Sequence, residues 1–102
     1  MKTDCVRYTA LTGQSVSTVA VCGGAGGFLL DQVKRANADV FVTSDYKYHD
    51  FFDAEGELVI ADIGHYESEQ FTIELLSDLL RQKFPNFAIL QTQINTNPVK
   101  YL

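Results

Sequence analysis

Three β-branched apolar runs alternate with helical segments, and this alternation limits the fold more than any other feature. The runs are STVAVC, ADVFVTSD and LVIADIG, which begin at Ser17, Ala38 and Leu58. After the first run, a glycine turn leads into apolar residues that recur with the 3.6-residue period of a helix. Strands that alternate with helices are joined by right-handed crossovers, which gives a mainly parallel sheet with helices on both faces. The sequence therefore predicts an α/β fold with three layers, α/β/α.

Further elements are predicted on either side of this alternating series. CVRYTAL, from Cys5 to Leu11, and FAILQTQI, from Phe87 to Ile94, have the composition of strands. The segment YKYHDFFDAEGE is predicted to be a short helix or a loop. A long helix is predicted from about Tyr66 to Phe84, because the apolar residues there follow the helical period and the next residue is Pro85. We expect a single α/β domain over residues 1–102.

Composition and charge argue against several classes of protein. The chain has 102 residues, 46% of them apolar, and a net charge of −5. Its 8 lysines and arginines are scattered rather than clustered, which argues against nucleic-acid binding. No apolar stretch approaches the length that spans a bilayer, and the first residues lack the apolar core of a signal peptide. We therefore expect a cytoplasmic protein with neither a nucleic-acid nor a membrane partner.

Chemically reactive residues follow each of the three alternating strands. GGAGG follows the first strand, SDYKYHD overlaps the end of the second, and GHYESE follows the third. In open α/β sheets, ligands gather outside the carboxyl ends of the strands. The sequence therefore predicts that these three segments lie along one edge of the sheet and share a site.

The GGAGG segment allows two interpretations. Its backbone N–H groups could bind a nucleotide or another phosphate-containing small molecule at a helix N-terminus. Gly24 and Gly26 fit the first two glycines of the GxGxxG fingerprint, whereas Leu29 occupies the third position. A tight strand-to-helix turn explains the same residues equally well. Gly24 and Gly26 are thus candidate substrate-binding residues, and the alternative remains open.

Two pairs of histidine and carboxylate side chains have a spacing of four residues. His65 and Glu69 would lie on one face of a helix, and Asp45 and His49 repeat the spacing in reverse order. Imidazole and carboxylate groups suit divalent transition metals, which usually take three or four protein ligands. A solvated charge cluster would explain Asp45 and His49 without a metal, and a favourable interaction with the helix dipole would explain Glu69. Neither alternative explains His65. The missing ligands could come from Asp45 and His49 or from another segment.

Three motifs, taken in order, resemble those of a known family. They are VAVCGGAGG, ADVFVTSDYKYHD and DIGHYESE. Together they resemble the C-terminal half of the NGG-interacting factor three-like family, also called GTP cyclohydrolase I type 2 homologues. The resemblance runs from about Val16 to the Asn97–Pro98 pair. It implies a three-layer α/β fold, a site for two divalent metal ions such as zinc, manganese or iron, and a ring-shaped homo-oligomer in the cytoplasm.

The resemblance also implies roles for individual residues. His65 and Glu69 would be metal ligands. Asp45 and Lys47 would lie near the substrate, and His49 would donate or accept a proton. The family's remaining ligands, which include two adjacent histidines, come from an N-terminal half, and this sequence contains no adjacent histidines. We therefore expect the chain to be the C-terminal part of a longer two-half protein and to hold half of a site.

The function expected of the complete protein is metal-assisted hydrolysis or a cyclohydrolase-like reaction, with the isolated piece inactive. One alternative is a nucleotide-binding module that uses GGAGG without turnover. Another is a regulatory or assembly protein whose metals are structural. Ser44, where the family often has glycine, and the asparagines of the NTNP segment depart from the family pattern, although neither replaces an expected ligand.

Overall fold

The computed structural model describes residues 2–102, in which four strands form one mixed sheet. The strands are β1 (Arg7–Tyr8), β2 (Val19–Ala25), β3 (Val40–Ser44) and β4 (Val59–Asp62), and their order in the sheet is β1-β4-β3-β2. β3 pairs in parallel with both β2 and β4, whereas β1 pairs antiparallel with β4. The α/β class is confirmed, and the sheet is a parallel series of three strands with one short antiparallel strand at its edge.

The helices follow the predicted order with different boundaries. A short 3-10 helix at Gly27–Leu29 leads into α1 (Leu30–Arg35), and a second 3-10 helix spans Asp50–Ala54. The long predicted helix consists of two helices, α2 (His65–Glu69) and α3 (Thr72–Lys83). α3 ends immediately before Phe84 and Pro85, as the missing N–H of proline requires.

Two strand predictions need correction. The predicted strand Cys5–Leu11 pairs only at β1, and the predicted strand Phe87–Ile94 is not a strand. Phe87, Leu90 and Ile94 are all exposed. An alternating pattern of apolar side chains predicts that one face of a strand can be buried. A strand also forms backbone hydrogen bonds with a neighbouring strand, and the pattern does not predict that partner. Among residues 2–102, no strand lies beside this segment.

The hydrophobic core lies on one face of the sheet. Phe41 of β3 and Ile60 of β4 are paired in register and fully buried, and α1 contributes Leu30 and Val33 to the same cluster. The neighbouring Leu58 is equally buried. Burying side chains of this size stabilises a fold by about 1.5–3 kcal/mol each, so this face anchors the parallel strands.

The opposite face of the sheet is apolar but incompletely covered. Because side chains alternate along a strand, Val19 and Val21 share this face with their register partners Val40 and Val42. Val19 and Val21 are exposed, and Val40 and Val42 are only partly buried. Parallel sheets normally have both faces covered by helices. The helical layer expected on this face is therefore incomplete within residues 2–102.

The third helix shows the same excess of exposed apolar surface. Leu75, Leu76 and Leu79 are each more than half exposed, at 60%, 54% and 52%. The radius of gyration is 16.6 Å, compared with about 13 Å for a compact domain of 100 residues. The described residues are thus more extended than a self-contained domain. None of the helices within them combines the length and apolar character needed to cross a bilayer.

The isolated chain is expected to self-associate through the exposed apolar side of α3, because water-exposed apolar patches of this kind favour association. Leu76→Lys combined with Leu79→Lys should shift the particle mass towards that of the monomer. Light scattering over a range of concentrations measures this shift, with Gln82→Lys as a control that adds charge at an exposed polar position of the same helix. A monomer at high concentration for the unmodified chain would contradict the expectation.

Candidate functional site

The carboxyl ends of the parallel strands bring three predicted segments together. Gly24 lies near the end of β2, Asp45 directly follows β3, and His65 follows β4 after two intervening residues. A Cβ atom placed on Gly24 would lie 3.4 Å from the imidazole of His65, and Asp45 Oδ2 lies 2.7 Å from His65 Nδ1. The predicted meeting of the three segments at one edge of the sheet is confirmed.

The imidazole of His65 lies between two carboxylates. Its Nδ1 is hydrogen-bonded to Asp45 Oδ2 at 2.7 Å, and its Nε2 lies 3.3 Å from Glu69 Oε2. His65 and Glu69 are the first and last residues of α2, so one helical turn places them on the same side. The three side chains are about half exposed, at 51%, 54% and 50% for His65, Asp45 and Glu69. The site is therefore open to solvent.

Unusual backbone conformations place these side chains. Asp45 has a φ of 56°, in the left-handed region that aspartate tolerates better than most residues with a side chain. This turn redirects the chain immediately after the fully buried Ser44. Gly64, the residue before α2, has a φ of 89°, which favours glycine. Both loops that carry site residues thus leave their strands through sharp turns.

The glycine segment is tied to the rest of the site by its own backbone. β2 continues to Ala25, so the first part of GGAGG is the irregular end of a strand rather than a loop after it. The N–H of Gly24 donates to Ser68 Oγ at 2.8 Å, and the N–H of Gly26 donates to Thr43 Oγ1 at 2.9 Å. The Thr43 hydroxyl in turn donates to the carbonyl of Gly24 at 3.1 Å.

The close approach of neighbouring groups explains why glycine occupies both positions. Gly24 has a φ of 67°, and a Cβ on Gly26 would lie 2.8 Å from the Cβ of Cys22 and would also overlap the hydroxyl of Thr43. These contacts favour the tight-turn interpretation, because both N–H groups already have partners within the protein. A phosphate-binding role for Gly24 and Gly26 stays a prediction.

Lys47 and His49 lie further from the imidazole of His65. Both side chains are exposed on the turn that precedes the 3-10 helix Asp50–Ala54. The ring of His49 packs edge-on against Tyr48, with 5.2 Å between the centroids. Neither residue lines the cavity beside His65. The structure thus brings Asp45 to His65 but not Lys47 or His49, and the roles of the latter two stay predictions.

Asp62 is a site residue that the sequence analysis missed. It is the last residue of β4 and is 4% exposed, and it forms an ion pair with Arg7 of β1. Its Oδ2 also accepts a hydrogen bond from the N–H of Tyr46 at 3.0 Å, and its Oδ1 accepts one from the N–H of Gly64 at 3.0 Å. A charged residue within the apolar run LVIADIG was the available signal, because buried carboxylates require partners.

A cavity of about 610 Å³ adjoins the site. Asp45, His65 and Glu69 lie on its wall together with Arg7. The C-terminal tail also lines it, through Asn97, Pro98, Val99 and Tyr101. The Asn97 side chain donates to Glu67 Oε1 at 3.2 Å and so attaches the tail to α2. Segments near both ends of the chain therefore contribute to the wall of the cavity.

The acidic surroundings of His65 stabilise its protonated form. The hydrogen bond to Asp45 raises the pKa of His65 above its ordinary value, and the negative charges of Asp45 and Glu69 act in the same direction. Partial burial opposes this effect. In the absence of a metal, the site therefore retains a proton on the imidazole to higher pH than an isolated histidine would.

The geometry of His65 and Glu69 fits two ligands of one divalent ion. Two ligand atoms that each lie about 2.1 Å from a tetrahedral ion are about 3.4 Å apart. The observed separation of His65 Nε2 and Glu69 Oε2 is 3.3 Å. Asp45 occupies the other ring nitrogen, where a carboxylate commonly orients a metal-binding histidine. Within residues 2–102, no group of three or more His, Cys, Asp or Glu side chains is arranged to hold a metal ion.

Comparison with known proteins assigns the chain to a family. Residues 1–98 match the family model Duf34/NIF3 (NGG1p interacting factor 3). The chain belongs to the Duf34/NIF3 family. A Staphylococcus epidermidis member of the curated proteins, named GTP cyclohydrolase 1 type 2 homolog, is 42% identical over 101 residues, which cover 94% of this chain and 27% of that protein. The chain thus spans about a quarter of the length of this curated relative.

Two solved structures of longer chains have a fold similar to that of this chain. The crystal structure of Staphylococcus aureus protein SA1388 is 35% identical and gives a TM-score of 0.88, covering 98% of this chain and 34% of that one. A Bacillus cereus protein related to NIF3 is 32% identical with a TM-score of 0.76, covering 98% of this chain and 29% of that one. The fold of this chain therefore corresponds to one part of each of these longer chains.

In this NIF3-family chain, Asp45→Asn should lower the pKa of His65 towards its ordinary value, because it removes the charge that most strongly favours the imidazolium. Since folding raises this pKa, the Asp45–His65 pair stabilises the fold at low pH and loses that effect as pH rises through the folded-state value. Titration of the imidazole resonances by NMR in metal-free protein measures the change. Glu69→Gln should lower the pKa of His65 less. If His65 had the same pKa in Asp45→Asn as in the unmodified chain, Asp45 would not be the main cause of the raised pKa.

Proposed function

We propose that this chain is the C-terminal part of a metal-dependent hydrolase or cyclohydrolase-like enzyme that binds two divalent ions, such as zinc, manganese or iron. In this proposal His65 and Glu69 are metal ligands. The observation that carries it is the 3.3 Å separation of His65 Nε2 and Glu69 Oε2, with Asp45 on the opposite ring nitrogen. The name of the S. epidermidis relative, GTP cyclohydrolase 1 type 2 homolog, supports this reaction class.

The remaining ligands are proposed to come from an N-terminal half of the same protein. His65 and Glu69 supply two ligands, whereas a selective site needs about three or four. The curated relative is long enough to contain such a half, because the match covers only 27% of it. The same half would cover the exposed apolar face formed by Val19 and Val21 and would provide the third layer of the fold.

Each side chain has a separate task in the proposed site. Asp45 accepts a hydrogen bond from the Nδ1–H group of His65. This orients the ring so that the Nε2 lone pair faces the ligand position beside Glu69. When bound, the ions would lower the pKa of a coordinated water molecule and stabilise a developing oxyanion. His49 is proposed to donate or accept a proton, and Lys47 to contact an anionic group of the substrate. Their exposed turn at the end of β3 adjoins Asp45 in the chain.

The cavity supports a small-molecule substrate. Its volume of about 610 Å³ falls within the range of about 300–1,000 Å³ that is usual for small-molecule sites. Arg7 at its wall could pair with an anionic group, as a nucleotide or another phosphate-containing molecule would present. Nucleotide binding by GGAGG without turnover has less support, because the N–H groups of Gly24 and Gly26 are already hydrogen-bonded.

Assembly is proposed to use the apolar surfaces that this chain leaves open. The exposed leucines of α3 suit contacts within a homo-oligomer or with the N-terminal half. A regulatory or assembly protein with structural metals would use the same surfaces. Turnover in the presence of metal separates that alternative from a hydrolase.

The full-length protein should bind two divalent ions, and the isolated chain should bind them weakly. The isolated chain should bind weakly because it lacks the additional ligands. Calorimetric titration with zinc measures the affinity and stoichiometry of both proteins. His65→Ala and Glu69→Gln should each weaken binding at least tenfold in the full-length protein. Glu74→Gln, which neutralises a carboxylate on α3, is the control for charge. His49→Ala should retain zinc but lose turnover.

One titration result would contradict this division of ligands. If the isolated chain bound zinc tightly at one-to-one stoichiometry, and both Asp45→Ala and His65→Ala abolished that binding, the chain would contain a complete site. Asp45 would then be a metal ligand rather than the group that orients His65.

A further inference from the structure

A single buried carboxylate connects the two loops of the candidate site. Asp62 accepts hydrogen bonds from the N–H of Tyr46, the residue after Asp45, and from the N–H of Gly64, the residue before His65. Each of its oxygens serves one loop, at 3.0 Å in both cases. The Asp45 and His65 side chains thus extend from backbone segments that are fixed to the same group.

Arg7 strengthens this connection from the neighbouring strand. Its guanidinium group pairs with Asp62 and also donates to the carbonyl of Tyr46 at 3.0 Å. Both peptide groups of Tyr46 are therefore held, one by Asp62 and the other by Arg7. The guanidinium also lies over the ring of Phe51, 5.5 Å from its centroid. The short strand β1 places Arg7 directly opposite Asp62 in the sheet.

Packing cannot account for the alignment of the exposed site residues. Asp45 and His65 are about half exposed, so few neighbours restrict their side chains. Their 2.7 Å hydrogen bond instead requires that the two loops stay at a fixed separation. A buried, fully paired carboxylate is a rigid way to achieve this, because disrupting it leaves donors unsatisfied in a water-excluded environment.

We propose that Asp62 is a positioning residue that holds Asp45 against His65 and thereby fixes the direction of the His65 metal-binding nitrogen. This proposal rests on the proposed metal-binding function. Asp62 lies on the wall of the cavity but is 4% exposed, and its role in this account does not depend on contact with the metal or the substrate. It acts through the backbone N–H groups of Tyr46 and Gly64, and it requires two acceptor oxygens to do so.

Asp62→Asn tests the requirement for two acceptor oxygens with little change in volume. The amide keeps one acceptor but turns an NH₂ group towards the N–H of one loop or towards Arg7, where donor would face donor. In the full-length protein we expect zinc affinity, measured by competition titration, to fall about 10- to 100-fold. In a crystal structure of the metal-free variant, Asp45 Oδ2 and His65 Nδ1 should lie beyond hydrogen-bonding distance.

Asp39→Asn is a matched control for loss of a structural carboxylate. Asp39 Oδ2 accepts from the N–H groups of Ser17 and Thr18 at 2.8 Å each, so it also fixes a loop to the sheet. These contacts lie at the start of β3, at the opposite end of the sheet from the site. Asp39→Asn should lower the denaturation midpoint and leave zinc affinity unchanged.

A double-mutant cycle distinguishes positioning from general destabilisation. If Asp62 acts through the Asp45–His65 contact, Asp45→Asn should weaken zinc binding much less in the Asp62→Asn background than in the unmodified protein. Additive losses, or an equal loss in Asp39→Asn, would show that Asp62 has only a structural role. If Asp62→Asn does not fold, Arg7→Met is measured instead, because methionine has no N–H donor for either Asp62 or the Tyr46 carbonyl.

The outcomes separate this proposal from the proposed function. If the unmodified full-length protein does not bind zinc or manganese, the proposed function fails, and the Asp45–His65 distance in the variant alone decides the positioning role. If the unmodified protein binds zinc but Asp62→Asn, or Arg7→Met in its place, keeps both the affinity and the 2.7 Å contact, the positioning proposal is overturned and the proposed function stands.

Discussion

The parallel pairing of β3 with β2 and β4 is the constraint on which the rest of the structure depends. Parallel strands all present their carboxyl ends at one edge, so residues distant in sequence meet there without any direct attraction between them. Gly24, Asp45 and His65 become neighbours in this way. Burial of Phe41 and Ile60 holds the strands in register. The core thus determines the position of the site, and polar contacts determine its detailed geometry.

The same sheet leaves part of its apolar surface uncovered. One face is covered by α1, while the other carries Val19 and Val21 in contact with water. Parallel sheets are stable when both faces are covered, and related chains of known structure are about three times longer than this one. An incomplete fold and an incomplete ligand set therefore have one common explanation in the proposal, which is an N-terminal half that supplies both.

Sequence periodicity predicted the three strands of the alternating series and the placement of His65 and Glu69 on one side of a helix, because strand and helix periods are local properties. It failed for Phe87–Ile94, since strand formation depends on a partner that periodicity cannot identify. The four-residue spacing also did not predict the hydrogen bond between Asp45 and His65, because it paired Asp45 with His49 instead. That contact depends on the left-handed backbone at Asp45 and on loop contacts to Asp62, neither of which has a periodic signature.

Anomalous X-ray diffraction from crystals of the full-length protein grown with zinc tests the central claim most directly. The account predicts an anomalous peak within about 2.2 Å of both His65 Nε2 and the Glu69 carboxylate, with Asp45 still hydrogen-bonded to Nδ1. It also predicts a second peak nearby whose ligands come mainly from residues outside this chain. Metal bound to Asp45 or to His65 Nδ1, or the absence of any peak at this edge of the sheet, would contradict it.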